Sequence, residues 1–117
     1  MIYDTNAIDI EAVKRDGGVE LYIILSKKFD DSLEQQNLLI DKIENYVKYT
    51  LSDDFKNAHP DDCKEKTCIF LILYRKPSKL LISLCKKILS SVNSQGIDFK
   101  VVYKVLSLFK KNIDLTK

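Results

Sequence analysis

The sequence predicts an α/β (α+β) fold: a two-layer sandwich with two helices on one face of a mixed four-stranded sheet. Three observations predict it. Residues 68–74 are the most apolar run, and their β-branched and aromatic content is typical of a strand buried on both faces. Stretches that alternate apolar and polar residues precede and follow this run, as strands do. Two segments with apolar residues at helical spacing separate the later strands, which gives the order β-β-α-β-α-β.

The chain opens with a predicted antiparallel hairpin. Apolar and polar residues alternate from Ile8 to Ala12 and again over 19–25. Between them lies Arg15-Asp16-Gly17-Gly18, in which Asp-Gly supplies the positive φ values of a tight turn. The glycines belong to this turn, because no G-x-G-x-x-G pattern with a following helix marks a phosphate loop.

The first helix is predicted after Asp31. Ser32 is its N-cap, and Gln35 is the second member of a capping box. Phe55 belongs either to the frayed end of this helix or to a further turn, and Pro60 ends any helix that remains. The predicted buried stripe consists of Leu39, Ile43, Tyr46, Val47 and Thr50.

The second helix is predicted between the apolar strand and the last strand, 98–106. Ser78 is its N-cap, and Gly96 ends it. A strand, a helix and a strand in this order predict a parallel pair with a right-handed crossover. The predicted buried face of the helix consists of Leu81, Leu84, Cys85, Ile88 and Val92.

The second face of the sheet needs a cover of its own, because the helices can protect only one face. Alternation directs four apolar side chains to that second face: Tyr22, Ile24, Val102 and Leu106. Residues Leu106, Phe109 and Ile113 are spaced for a short amphipathic C-terminal helix, which we expect to cover part of it. A homodimer packed sheet to sheet is the alternative cover.

Length and composition predict one domain over 1–117, with a core at 7–106 and a tail at 107–117. The first residues do not resemble a secretion signal, and the run at 68–74 is far shorter than the ~20 apolar residues that cross a bilayer. Three cysteines without framework spacing indicate reduced thiols. We therefore expect a cytoplasmic protein.

The net charge of +2 conceals opposite charges in the two halves of the chain. Residues 1–62 contain 7 Lys and Arg against 14 Asp and Glu, whereas residues 63–117 contain 12 against 3. Such polarity can guide a charged partner, or it can let the two halves attract each other. Five lysines of the basic half form the candidate partner surface: Lys79, Lys86, Lys87, Lys100 and Lys104.

Candidate metal and thiol chemistry centres on His59, the single histidine. The spacing His59-x3-Cys63-x4-Cys68 fits no zinc pattern, so we expect a solvent-exposed loop histidine. Cys63 is expected to be exposed. Because an active thiol needs a base or positive surroundings and two acids precede Cys63, we expect its thiol to be unreactive. Cys68 and Cys85 fall at core positions and are expected to act as small apolar residues.

Paired carboxylates occur at Asp30-Asp31, Asp53-Asp54 and Asp61-Asp62. A general acid and base work from unlike environments across a cleft, whereas adjacent loop acids usually cap helices in contact with water. The sequence therefore predicts no catalytic, cofactor-binding or metal-binding residue.

Nucleic-acid binding is the alternative with the most specific residues. Lys100, Tyr103 and Lys104 lie on one predicted strand, and Tyr22 and Tyr74 could lie close to them. Against it, alternation places Tyr103 on the face opposite the two lysines, the isoelectric point of about 8.3 is modest, and no RNP-type motif is present.

The chain resembles a family of small bacterial proteins of about a hundred residues, classed as a domain of unknown function. The resemblance covers most of residues 4–106. It implies an α/β fold and a bacterial cytosolic setting, and it implies no activity and no functional residue. The basic second helix and the tail after Leu106 depart from the family pattern. The motifs that carry it are Ala7-Ile8-Asp9-Ile10, the 19–25 strand, Leu38-Leu39-Ile40-Asp41-Lys42-Ile43-Glu44-Asn45-Tyr46, Phe55-Lys56-Asn57-Ala58-His59-Pro60 and Tyr74-Arg75-Lys76-Pro77-Ser78.

These observations favour a non-enzymatic protein that acts through a surface, such as a toxin-neutralising immunity protein or an accessory subunit. Its partner would be another protein or a second copy of the chain, bound through the spare sheet face. A nucleic-acid-binding protein using the basic C-terminal half is the first alternative, and a small enzyme with an unrecognised pocket is the second.

Overall fold

The computed structural model describes residues 8–14, 17–59, 67–106 and 109–116, with side chains except at 105, 106 and 109–111. Within these residues it contains five strands and three helices. In chain order they are β1 (Ile10–Val13), β2 (Val19–Leu25), α1 (Leu33–Thr50), α2 (Asp53–Ala58), β3 (Thr67–Leu73), α3 (Lys79–Asn93), β4 (Asp98–Leu106) and β5 (Phe109–Ile113).

The strands form one mixed sheet whose spatial order equals the chain order, β1-β2-β3-β4-β5. The two outer pairs are antiparallel, and the inner pairs β2–β3 and β3–β4 are parallel, each joined through helix. The predicted α+β class and the parallel β3–β4 unit are confirmed. The predicted counts are corrected: the described part of the chain has a fifth strand and a third helix.

The N-terminal hairpin forms where the sequence predicts it. Val13 pairs with Val19 at its closed end, and the Lys14 amide donates to the Gly18 carbonyl at 2.7 Å. Gly17 adopts a φ of 87°, the left-handed region that glycine enters at little cost. The Asp-Gly signal therefore marks a real turn, although residues 15 and 16 lie outside the described residues.

The hydrophobic core lies between the helices and one side of the sheet. Along β2, Val19, Leu21 and Ile23 are fully buried and alternate with half-buried neighbours. The predicted stripe of α1 faces them, with Leu39 and Tyr46 at 0% exposure. From the other helices the core takes Phe55 of α2 and Leu81, Cys85, Ile88 and Val92 of α3, so the predicted buried face of α3 is confirmed, with Leu84 at its margin.

The helix ends follow the predicted caps. Ser32 Oγ accepts a hydrogen bond from the Gln35 amide at 3.1 Å, and Ser78 Oγ accepts one from Leu81 at 3.0 Å. The Gln35 side chain reaches the Asp30 amide at 2.8 Å, two residues before the cap, so it fastens the loop that enters the helix. Beyond α3, Gly96 has a φ of 78°, as a C-terminal stop requires.

A buried ion pair ties the start of the hairpin to α1. Lys42 Nζ lies 2.8 Å from Asp9 Oδ1, and the lysine side chain has 0% exposure. Tyr46, also fully buried, accepts a hydrogen bond from the Asp9 amide at 2.8 Å and donates one to the Tyr22 carbonyl at 2.6 Å. These contacts satisfy polar groups that burial would otherwise penalise.

The C-terminal tail corrects a prediction. Residues 109–113 form β5 along the edge of β4, where a short amphipathic helix over the second sheet face was expected. Ile113 pairs with Val101 on the helix side, and Leu115 is buried in the core there. The tail thus satisfies the hydrogen bonds of the β4 edge and leaves the second face uncovered by its described side chains.

Among the described helices, none is long and apolar enough to cross a membrane.

Candidate functional site

The side of the sheet opposite the helices is the main candidate for a functional surface, and we call it the open face. Strand register aligns its side chains in rows across the sheet. One row is Ile10, Tyr22, Phe70 and Lys100, and the next is Ile24, Ile72, Val102 and Asn112. The predicted direction of Tyr22, Ile24 and Val102 is confirmed, and the Leu106 side chain lies outside the described set.

Aromatic rings occupy the middle of the open face. The rings of Tyr22 and Phe70 stack with centroids 5.1 Å apart and planes 14° from parallel. Lys100 Nζ lies 5.9 Å from the Phe70 centroid, and Lys104 Nζ lies 5.5 Å from that of Tyr74. Because β3 runs between β2 and β4, Tyr22 and Lys100 flank Phe70 from opposite sides.

The open face is concave and still exposes apolar surface. A depression of about 440 Å³ is lined by Ile10, Tyr22, Phe70, Ile72 and Tyr74 together with neighbouring side chains. Ile10 is 47% exposed and Tyr74 is 42% exposed. The lining is about equally polar and apolar, and Ile72 and Val102 within it are buried. Exposed aromatic and aliphatic side chains such as Tyr74 and Ile10 are common at contact surfaces.

The two acids of the open face lie at one end of the strands. Glu20 and Asp98 lie at the end where the parallel strands begin, on either side of Cys68. Lys14 follows β1 near that end, where its charge acts on the Cys68 thiol; Lys100 lies in the middle, and Lys104 lies near the far end. The open-face residues that the structure describes therefore carry two acids and three bases.

Local contacts fix the acidic end. The Tyr22 hydroxyl donates to Glu20 Oε1 at 3.1 Å, and burial together with this carboxylate raises the tyrosine pKa. Burial, and after it the charge of Asp98, raises the pKa of the Cys68 thiol to about 12. The thiol thus stays protonated at neutral pH, and the half-buried Cys68 acts as a small apolar residue.

The five lysines of the candidate partner surface do not form one surface. Lys100 and Lys104 lie on the open face, whereas Lys79, Lys86 and Lys87 are exposed on α3, in the other layer. Tyr103 pairs with Leu73 and packs against the core, as alternation predicts. A single basic face made from the C-terminal half is therefore absent from the described residues.

The helix layer has a shallow groove of its own between α1 and α3. Its volume is about 220 Å³, and Ile40, Glu44, Leu84 and Lys87 line it. Lys87 and Glu44 place opposite charges at one groove. This surface is smaller than the open face and lacks its aromatic rings.

A third concavity, about 590 Å³, lies at the carboxyl ends of β2 and β3, where α/β proteins commonly bind ligands. Its two carboxylates already accept hydrogen bonds from neighbouring groups: Asp31 accepts from the Ser78 hydroxyl at 2.7 Å, and Asp30 accepts from the Ser32 amide at 2.9 Å. The hydrogen bonds from Ser32 lower the pKa of Asp30. The Asp30-Asp31 pair thus has a structural role at the start of α1, and Asp31 also contacts the N-cap of α3, which the sequence did not predict.

The prediction of an exposed His59 is wrong. The side chain is buried, with Nε2 2.7 Å from Glu11 Oε2 and its ring 4.8 Å from that of Phe55. Tyr49 donates to the other oxygen of Glu11 at 2.6 Å. A carboxylate on β1, 48 residues away in the chain, therefore draws the histidine inward.

The remaining thiols show no sign of activation within the described residues. Burial raises the pKa of the core residue Cys85 to about 12. Cys63 lies outside the described residues, as does the Asp61-Asp62 pair. A search of the described part of the chain finds no cluster of three or more His, Cys, Asp or Glu suited to a metal ion.

Sequence reasoning overlooked three open-face residues that matter: Glu20, Phe70 and Asp98. Their side was available from strand parity once β2, β3 and β4 were aligned, because every second residue shares a face. The alignment itself was missing, since the sequence does not state which residue of one strand lies beside which residue of the next.

Comparisons with known proteins identify a family for this chain, and that family has no known activity. Neither the curated proteins nor the solved structures contain a match to the chain. One family model covers residues 1–105, a span that includes β1 to β3 and all but the last residue of β4 and ends before β5. The chain therefore belongs to a family of unknown function (DUF6572), as its sequence motifs indicate.

Proposed function

We propose that this protein is a non-enzymatic binding protein that contacts another polypeptide through its open face. The observation that carries the proposal is the aromatic and aliphatic band of Tyr22, Phe70 and Tyr74 with Ile10, on a sheet face that no described helix or strand covers. Aromatic residues are enriched at protein contacts, and burying such a band against a second apolar surface is favourable.

Two features favour a polypeptide over a nucleic acid. Phe70 has Tyr22 on one side and Lys100 on the other, so neither face of its ring is free to stack on a base. Glu20 and Asp98 offset two of the three lysines near the described open face (Lys14, Lys100 and Lys104), so the surface lacks the large excess of positive charge that attracts phosphates.

The cellular setting completes the proposal. We place the protein in the bacterial cytoplasm, as an immunity protein or an accessory subunit of a larger assembly. Reduced cysteines in the sequence support this compartment, because Cys68 and Cys85 are unpaired in the structure.

Single-stranded nucleic acid is the second candidate, and the lysines over aromatic rings favour it. Lys104 above Tyr74 leaves the opposite face of that ring as a place for one base. Binding of this kind would weaken steeply with salt. Anisotropy titration of labelled single-stranded RNA and DNA at low salt measures it directly.

The proposal is tested by affinity capture from a bacterial lysate treated with nuclease, using matched variants. Ile10→Asp and Phe70→Ser place polar groups on the open face, and Lys87→Glu alters the exposed face of α3 instead. We expect a retained polypeptide to be lost with both open-face variants and kept with Lys87→Glu. Far-UV circular dichroism of each variant confirms that the fold is intact.

Two results would contradict the proposal. A polypeptide lost only with Lys87→Glu would move the contact to the α1–α3 groove. Tight, salt-sensitive binding of single-stranded RNA that Lys104→Glu abolishes would establish the second candidate instead.

A further inference from the structure

We propose that the open face binds a second copy of this chain. The two copies would pack sheet against sheet with antiparallel strands, so that Asp98 of each lies against Lys104 of the other. This inference rests on the proposed function and names its partner.

The order of charge along the strands carries the argument. β2, β3 and β4 are parallel, so their first rows lie at one end of the open face. That end has Glu20 and Asp98, with Lys14 near them, and the rows of Phe70 and Ile72 follow, the first of which also contains Lys100. The far end has Lys104 beside Tyr74. The two acids therefore lie at one end of the face and Lys104 lies at the other, with mainly apolar rows between them.

Symmetry then selects one arrangement. Two identical faces can meet about a two-fold axis that lies in the plane of contact, either along the strands or across them. An axis along the strands would place acidic end on acidic end. An axis across them reverses the strands, so the Asp98 row of one copy meets the Lys104 end of the other. Only this second choice pairs opposite charges.

The same axis also determines which rows of the two copies meet. It passes between the row of Phe70 and the row of Ile72, so each row meets the other in the second copy. On β2, Tyr22 meets Ile24 in the same way. Rings then pack on aliphatic side chains, as the inner faces of stacked sheets do at a spacing of about 10 Å. The twist of each sheet rotates the strands by about 30° from perfect alignment.

The size of the face sets the expected strength. Five strands of four to nine residues, about 4.8 Å apart, span roughly 500 Å² of flat area per copy. Two copies would bury roughly 1,000 Å², which is the lower limit for a specific contact. We therefore expect a reversible dimer whose population depends on concentration.

Charge reversal in solution tests this arrangement. The measurement is molar mass by light scattering and sedimentation equilibrium from about 1 μM to about 1 mM, on nuclease-treated protein. The wild-type mass should rise towards two copies. Asp98→Lys and Lys104→Asp should each raise the dissociation constant at least about 10-fold, because like charges then face each other twice.

Mixing the two variants is the decisive step. In an equimolar mixture, each lysine of the Asp98→Lys chain meets an acid of the Lys104→Asp chain, so a mixed dimer should form. The double variant Asp98→Lys/Lys104→Asp should also recover the wild-type dimer. Within one copy the two positions are six residues apart on β4, about 20 Å, so recovery must come from contact between copies.

Lys87→Glu is the matched control, because it changes charge on α3 and should leave the dissociation constant unchanged. A wild-type chain that stays monomeric over the whole range would overturn this inference, while face-dependent capture of a different polypeptide would still support the proposed function. A dimer that both reversals leave intact would also overturn it. So would variants that lose the dimer but fail to recover it on mixing.

Discussion

Removing Asp9 should destabilise the fold far more than removing its buried partner. Lys42 has 0% exposure and lies 2.8 Å from Asp9, whose side chain keeps 12% exposure. Asp9→Ala leaves a buried ammonium group without its carboxylate. Lys42→Met replaces the cation by an apolar chain of similar length and leaves a carboxylate that water can reach. We expect Asp9→Ala to lower the free energy of unfolding by about 3 kcal/mol and Lys42→Met to lower it by about 1 kcal/mol or less.

The magnitude follows from the contact itself. At 2.8 Å and an effective dielectric constant of about 20, two unit charges attract by about 6 kcal/mol, and the cost of removing both from water cancels much of this. Breaking a buried pair by deleting one partner usually costs about 3–5 kcal/mol. Lys42 has further contacts, so we place Asp9→Ala at the lower end.

The assay is urea unfolding of both single variants and the double variant, followed by far-UV circular dichroism on dilute protein. The double variant Asp9→Ala/Lys42→Met should be more stable than Asp9→Ala alone, since the second change removes the buried ammonium group that Asp9→Ala deprives of its carboxylate. Equal losses for the two single variants, or a double variant at their sum, would refute the reasoning, because the pair would then lack coupling.

The same pair predicts a pH dependence. Burial raises the pKa of Asp9, but hydrogen bonds and charge, including those of Lys42 and the hydrogen bond from the Ile24 amide, together lower the pKa below 3.8. A carboxyl whose pKa is lower in the folded state stabilises the fold above its unfolded pKa, about 3.9, and loses this contribution as pH falls through the folded value. The stability difference between wild type and Asp9→Ala should therefore be constant near neutrality and shrink below about pH 4.

Three further substitutions test the fold by urea unfolding. Tyr46→Phe should cost about 1–2 kcal/mol, because the buried hydroxyl bonds both the Asp9 amide and the Tyr22 carbonyl; an unchanged midpoint would show that these groups find other partners. Ser78→Ala should lower the free energy of unfolding by about 1 kcal/mol, because α3 loses its N-cap. Ser78→Asn should retain most of the stabilisation that the cap provides. Gly96→Ala should cost about 1–2 kcal/mol from its φ of 78° alone, since the added methyl group meets no described atom within 4 Å, and a stabilised variant would contradict this.

The regular elements could be predicted because their periodicity and end signals agree. Alternation over 19–25 and caps such as Ser32 and Ser78 depend only on neighbouring residues. The C-terminal segment could not be resolved in this way. Its apolar residues Phe109, Ile113 and Leu115 fit both a helical turn and an alternating strand, and the free edge of β4 decides between them.

Long-range polar contacts were also beyond a reading of the sequence. His59 lies next to a proline in a charged stretch, which favours exposure, yet its partner Glu11 comes from β1. Lys42 follows the spacing of the buried stripe, but a lysine is rarely buried without a partner. Neither outcome is encoded locally, because each depends on where the hairpin lies against α1 and α2.

Only part of the open face could be predicted from the sequence. Parity placed Tyr22, Ile24 and Val102 on it, and the surplus of apolar sheet surface indicated contact with another molecule. The meeting of Glu20 and Asp98 at one end of that face, and of Tyr74 and Lys104 at the other, required the register between strands. Register arises from the packing of the whole sheet, so it emerges only with the structure.

The polar contacts of β1 have a consequence for aggregation. Glu11 of the four-residue edge strand, and Asp9 just before that strand, point towards the helix layer, where Tyr49 and His59 contact Glu11 and Lys42 contacts Asp9. Inward charges on a short edge strand discourage a new strand from pairing beside it. The edge of β1 therefore resists the open-ended addition of strands by which exposed sheet edges grow into fibres.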